Sequence, residues 1–154
     1  MDSIARHFLF MLFSLFIYGE KVEIKSQTME ANDLTKEVHF SGSVKIKEGI
    51  SRLHSKEAIV YLDKNNKAKE YRAIGSVDFY IKRDGNEYKG KAGEVRYFPN
   101  TNIYHLKIDA HVEDLINKRV LTGNDMILDM NKKQARVDGK KNQPIEFIFE
   151  TKDK

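Results

Sequence analysis

The sequence predicts an all-β chain of repeated antiparallel strand pairs, folded into a long, two-faced roll. Three observations predict it. Apolar residues alternate with polar ones, turn-forming clusters recur roughly every 10–18 residues, and a short motif returns at positions 42, 75 and 108. No segment shows convincing helical periodicity, which leaves a barrel, a sandwich or a jelly roll.

The alternation is clearest in Val38/Phe40, Val44/Ile46, Val77/Phe79/Ile81, Leu106/Ile108/Ala110/Val112 and Phe147/Phe149. A strand turns successive side chains to opposite faces, so a two-residue period marks one buried face. Glu48-Gly49, Asp63–Lys67, Asp84-Gly85, Pro99–Asn102, Asn131–Lys133 and Asp138-Gly139 are the expected hairpin turns. Val22–Thr28 is the expected first strand and Pro144–Glu150 the last.

The repeat sets Gly42-Ser43-Val44-Lys45-Ile46 against Gly75-Ser76-Val77-Asp78-Phe79, with Ile108-Asp109-Ala110-His111-Val112 as a degenerate third copy. A second element lies between the copies: Ser55–Val60, then Ala92–Tyr97, then Gly123–Leu128. Such a strand pair cannot bury its apolar face alone and must stack on its neighbours.

Composition narrows the chemistry. The chain of 154 residues has room for one domain with a real core. Without cysteine it can hold no disulfide, thiol nucleophile or thiolate zinc site. The formal charge of +4 suits an anionic partner but selects none. Gly85–Lys91 matches the first seven positions of a phosphate-binding loop, yet Ala92 stands where Ser or Thr must reach magnesium. Its flanks read as strands, so a hairpin is the better account. His7, His39, His54, His105 and His111 form no metal-ligand spacing, and no nucleophile arrangement is present; neither an enzyme, a metal nor a cofactor is expected. Tyrosines among lysines could suit single-stranded nucleic acid, but strand tyrosines are commonly packing residues and no nucleic-acid partner is expected.

The N-terminus reports the compartment. Phe8–Tyr18 is apolar apart from Ser14 and follows Arg6. As a helix these residues would cover about 16 Å, roughly half a bilayer core, which suits a signal peptide. Residues 1–19 are therefore expected to be a signal peptide and residues 20–154 the domain, exported to the periplasm. The alternative is an uncleaved membrane anchor.

The stretch Ile24–Val44, IKSQTMEANDLTKEVHFSGSV, resembles the opening of the organic-solvent-tolerance-like (OstA-like, LptA) family of periplasmic lipopolysaccharide-transport proteins. The cadence runs from a small-residue strand through a polar hairpin to Phe40-Ser41-Gly42-Ser43-Val44, and returns at Gly75 and Gly123-Asn124. It covers Ile24 to Phe149 and departs from the pattern at Ile108, where a glycine is usual. The resemblance implies a β-jelly roll that holds the acyl chains of lipopolysaccharide and forms a bridge from inner to outer membrane for outer-membrane assembly. Its partners would be envelope proteins of the same fold, anchored in the inner membrane or in the outer-membrane translocon. An LptC-like anchored relative, or an envelope scaffold of the same fold, is the alternative.

On that reading the inward set Val38, Phe40, Val44, Ile46, Val60, Leu62, Val77, Phe79, Ile81, Val95, Tyr97, Leu106, Ile108 and Leu128 lines a lipid groove. Val22 and Ile24 on the first strand, with Phe147 and Phe149 on the last, are expected to assemble copies head to tail through unpaired sheet edges. Each buried methylene contributes about 0.8 kcal/mol, whereas an exposed lysine–phosphate contact contributes about 0–1 kcal/mol. Affinity should therefore reside in the apolar interior. Intact mass after export tests the leader: a chain starting near Glu20 supports cleavage, and a full-length membrane-bound chain would overturn it.

Overall fold

The computed structural model describes residues 21–83 and 85–151. Phe8–Tyr18 and the expected cleavage point lie outside the described residues, as does Asp84. The described chain is ten antiparallel strands in one sheet. They are β1 (Val22–Lys25), β2 (Thr28–Asn32), β3 (Glu37–Glu48), β4 (Ser51–Leu62), β5 (Ala68–Arg83), β6 (Asn86–Phe98), β7 (Ile103–Asp114), β8 (Arg119–Asp129), β9 (Gln134–Asp138) and β10 (Glu146–Phe149). From β3 to β8 each strand pairs with the next, joined by tight turns. The expected turns at Glu48-Gly49, Asp63–Lys67, Pro99–Asn102 and Asn131–Lys133 hold, Gly85 lies between the paired β5 and β6, and residues 115–118 add a turn that Leu115 and Ile116 disguise in the sequence. Asp138-Gly139 closes no hairpin, because β9 and β10 both pair with β8 rather than with each other, and the turn there lies at 141–142.

Both sheet edges are split strands. The expected first strand breaks at Ser26-Gln27 into β1 and β2, which pair with opposite halves of β3. At the far edge, β9 and β10 divide β8 in the same way.

Each long odd strand bends in the middle. β3, β5 and β7 carry one residue more than their neighbours at Gly42-Ser43, Gly75-Ser76 and Ile108-Asp109. All six residues lie in the left-handed region, with φ of 87° and 48°, 89° and 46°, 69° and 51°. A bulge of this kind bends the strand and increases its local twist. Three bends at the same register make a corner that folds the sheet into two arms. The first arm holds the β2/β9 ends and the second the β1/β10 ends. The repeat seen in the sequence is this corner.

The third corner corrects the expectation for Ile108. Its φ of 69° takes it out of the strand alternation, and the residue is 55% exposed. It does not join the inward set. A β-branched residue in this region is strained, and the sheet accommodates it by exchanging sizes across the corner. A Cβ on Gly75 would lie 2.9 Å from the Cβ of Lys56 on β4. At the third corner the small residue sits on β6 instead, where Gly93 leaves space for the Ile108 side chain. Asp109 is held by its N–H to Asn124 Oδ1 (3.3 Å) and by Lys140 Nζ (3.0 Å).

The exchange predicts a specific coupling. Gly93→Ala puts a methyl 2.8 Å from the Ile108 Cβ and should cost about 1–3 kcal/mol. Ile108→Gly in the same chain should return most of that loss, measured by chemical denaturation as a double-mutant cycle. Strictly additive effects would refute the exchange.

Candidate apolar groove

Hairpin register aligns the inward side chains into rows that cross the sheet. In the first arm the row beside the corner is Met29, Phe40, Ala58, Ala73, Val95, Leu106, Met126 and Val137. The next row out is Ala31, Val38, Val60, Tyr71, Tyr97, Tyr104, Leu128 and Ala135. In the second arm Ile24, Ile46, Leu53, Phe79, Gly90, Val112, Leu121 and Phe147 stand side by side from one sheet edge to the other.

The arms close on each other. One buried cluster joins Ala73, Val95 and Leu106 of the first arm to Val77, Phe79 and Ala92 of the second. Another joins Val38, Phe40, Val60 and Leu62 to Val44, with Ile24, Ile46 and Tyr71 packed against it. The corner residues Val44, Val77 and Ala110 are sealed, at no more than 1% exposure. Ile46, Leu53, Ile81, Val112, Leu121, Tyr97 and Leu128 are half-buried and lie farther along the arms.

The structure therefore brings all but one of the predicted lining residues onto a single interior face; Ile108 is the exception. Sequence reading missed Leu53, Tyr71, Tyr104, Val112, Leu121 and Met126. Flanking charges hide Tyr71 in Glu70-Tyr71-Arg72. Pairing it through the β4–β5 turn with Val60 would have revealed its face. Glycine at position 90 has a packing reason, because the Phe79 ring lies where its side chain would stand.

At the sheet edges, Val22 and Ile24 are half-buried, whereas Phe147 and Phe149 are exposed by half or more, their rings 5.2 Å apart. Both phenylalanines extend the interior rows, Phe147 beside Leu121 and Phe149 beside Arg119.

Polar groups concentrate at the rims and on the outer face. Asp114 is buried at the end of β7, where it accepts from Arg119 Nη2 at 2.6 Å and from Asn117 Nδ2 at 2.9 Å. Burial would raise its pKa, but these donors outweigh it and hold the carboxyl below its ordinary value. The described histidines lie by carboxylates: His39 by Glu37, His54 by Asp78, His105 by Asp125 and His111 by Glu113. Arg72 and Arg96 pair with Glu94 on the outer face. Among the described residues no three His, Asp or Glu side chains gather to hold a metal ion. The segment that mimics a phosphate loop is the β5–β6 turn and the body of β6.

Comparison with known proteins agrees with this geometry. Residues 23–134 match the model of the LptA/(LptD N-terminal domain) LPS transport protein family. Among solved structures the chain resembles LptH, the LptA-homologous periplasmic component of the lipopolysaccharide transport device of Pseudomonas aeruginosa. The TM-score is 0.71 at 15% identity, covering 86% of this chain and 96% of that one. This likeness is one of fold. No curated protein matches the chain by sequence.

Tyr71 gives the arms a pH signature. Burial, then the neighbouring Tyr97 and Glu48, push its pKa up to about 12. Glu48 ends the second-arm half of β3 and Tyr71 lies in the first arm, so the pair reports arm closure. A raised tyrosine pKa contributes stability below the ordinary value near 10, and that stability is lost as pH rises through the folded value. Tyr71→Phe should remove the highest-pH step from the phenolate absorbance titration and flatten the alkaline loss of stability; an unchanged titration would contradict the closed arrangement.

Proposed function

Because the chain belongs to the LptA/(LptD N-terminal domain) family of LPS transport proteins, we propose that it is a periplasmic lipopolysaccharide-binding bridge. It carries lipopolysaccharide between the inner and outer membranes, with the acyl chains held between the two arms. The observation that carries this reading is the row of the second arm that runs from Ile24 at one sheet edge to the exposed Phe147 at the other, buried at Phe79 and Gly90 and half-buried on either side of them. A passage of this kind suits a long amphipath better than a compact metabolite. The family is one of transport proteins, and directional movement would draw its energy from another component.

Burial divides the lining into two groups. Val44 and Val77 form the sealed floor and Phe79, also buried, adjoins it, while Ile46, Ile81, Tyr97 and Leu128 are half-buried and stand farther from the corner, where the arms can part. A photoreactive residue at Phe79 or Ile46 should crosslink lipopolysaccharide. The same probe at Asp78 or Lys45, whose side chains point to the other face, should label at background. Equal labelling of both faces would sink the groove.

The edges support assembly with like-folded envelope partners or with further copies, head to tail. The second-arm row ends in Ile24 at one edge and Phe147 at the other. An added chain would continue both the sheet and the row. Exposed apolar strand edges favour strand addition. Phe147→Lys should lower the concentration-dependent mass seen in light scattering; a wild-type chain that stays monomeric at every concentration, with no envelope protein captured by a crosslinker at Phe147, would contradict edge assembly.

A further inference from the structure

The last complete inward row of the first arm contains three tyrosines from adjacent strands. Tyr71, Tyr97 and Tyr104 stand directly opposite one another on β5, β6 and β7. Their rings stack, with centroids 6.1 Å apart for Tyr71–Tyr97 and 4.4 Å for Tyr97–Tyr104. Val60 flanks the ladder on one side and Leu128 on the other. Stacking commits the ring faces to one another, so an approaching molecule meets edges and hydroxyls.

Polarity changes across the Tyr97–Tyr104 part of this row. One step toward the corner lie Ala73, Val95 and Leu106, all buried and all hydrocarbon. One step toward the turns the surroundings divide: beside Tyr71 the buried Leu62 and the half-buried Ala68 remain hydrocarbon, whereas beside Tyr97 and Tyr104 they become amide. Tyr97 Oη reaches Asn102 Oδ1 at 3.4 Å, Asn102 Nδ2 donates to Asn131 Oδ1 at 3.3 Å, and Asn131 Nδ2 donates to the Thr101 carbonyl at 3.2 Å. Inward residues two apart on a strand are separated by about 7 Å. The passage from alkane to hydroxyl to amide therefore takes about 14 Å. Tyrosine is suited to such a boundary, since its ring is apolar and its hydroxyl pairs with polar oxygens.

Resting on the lipid-groove reading, we propose that the Tyr71–Tyr97–Tyr104 ladder is the recognition site for the junction between acyl chains and sugar headgroup. The hydroxyls meet the ester, amide and sugar oxygens found there and set the depth of the lipid, chains toward the corner and headgroup toward the asparagine lip. A plain fatty acid has one carboxylate and no such series of oxygens. The ladder therefore discriminates acylated sugars from simple fatty acids, while the apolar rows beneath it bind both.

The test compares Tyr71→Phe, Tyr97→Phe and Tyr104→Phe, singly and together, which keep the rings and remove only the hydroxyls. Affinity for purified lipopolysaccharide and for tetradecanoate is measured by displacement of a fluorescent fatty-acid analogue, with thermal unfolding recorded for each variant. The single variants remain readable should the triple variant unfold. Across the folded variants lipopolysaccharide affinity should fall with each hydroxyl removed, reaching about tenfold or more for three, while tetradecanoate affinity stays within twofold. Unchanged lipopolysaccharide binding, or an equal loss for both ligands, overturns the junction site. A wild-type chain that binds neither ligand overturns the groove reading, and this inference with it.

Discussion

The fold depends on the left-handed corner. A meander of strands 11–16 residues long would otherwise remain an open sheet with a wholly exposed apolar face. Bulges on β3, β5 and β7 at one register bend every strand at the same height. The even strands follow without extra residues of their own. Backbone conformation, more than any single contact, decides that two arms exist and that their apolar faces meet. The costs of positive φ at Ser43, Ser76, Ile108 and Asp109 are offset by apolar burial along the whole fold line.

Three consequences follow for the interior. The floor at Val44, Val77 and Ala110 is sealed and serves stability. Ile46, Leu53, Val112 and Leu121 in the second arm and Tyr71, Tyr97, Tyr104 and Leu128 in the first are only half covered, and on the proposed function they are the surface that a hydrocarbon chain would reach by parting the arms. The rows also run off both edges of the sheet, because the strand order never closes on itself. Interior and edge are thus one feature: whatever lengthens the sheet lengthens the apolar rows.

Strand periodicity and the repeat made most of the architecture legible before any coordinates. Val38/Phe40 and Val77/Phe79/Ile81 alternate cleanly because polar residues separate them on the outer face. The repeat at 42, 75 and 108 was readable as a repeat, but its meaning as a corner was not, since a bulge is defined by the residue count of the partner strand. Ile108 misled for that reason: it sits at apolar parity, yet left-handed φ turns it outward beside Gly93. The turn at Leu115–Lys118 lacks glycine and proline, and is set by Asp114 accepting from Asn117 and Arg119. The tyrosine ladder was invisible because three residues from three strands become neighbours only through register.

The most direct test of the account is the bend of a single strand. β4 runs from the end of one arm to the end of the other, so the turns that flank it, at Ile50 and Asn65, mark opposite lips. The chain has no cysteine, which allows spin labels at these two positions alone. Electron–electron resonance should give one short distance in the free protein that lengthens as lipopolysaccharide is added, because acyl chains entering between packed arms must part them. A distance unchanged at saturating lipopolysaccharide would contradict the account.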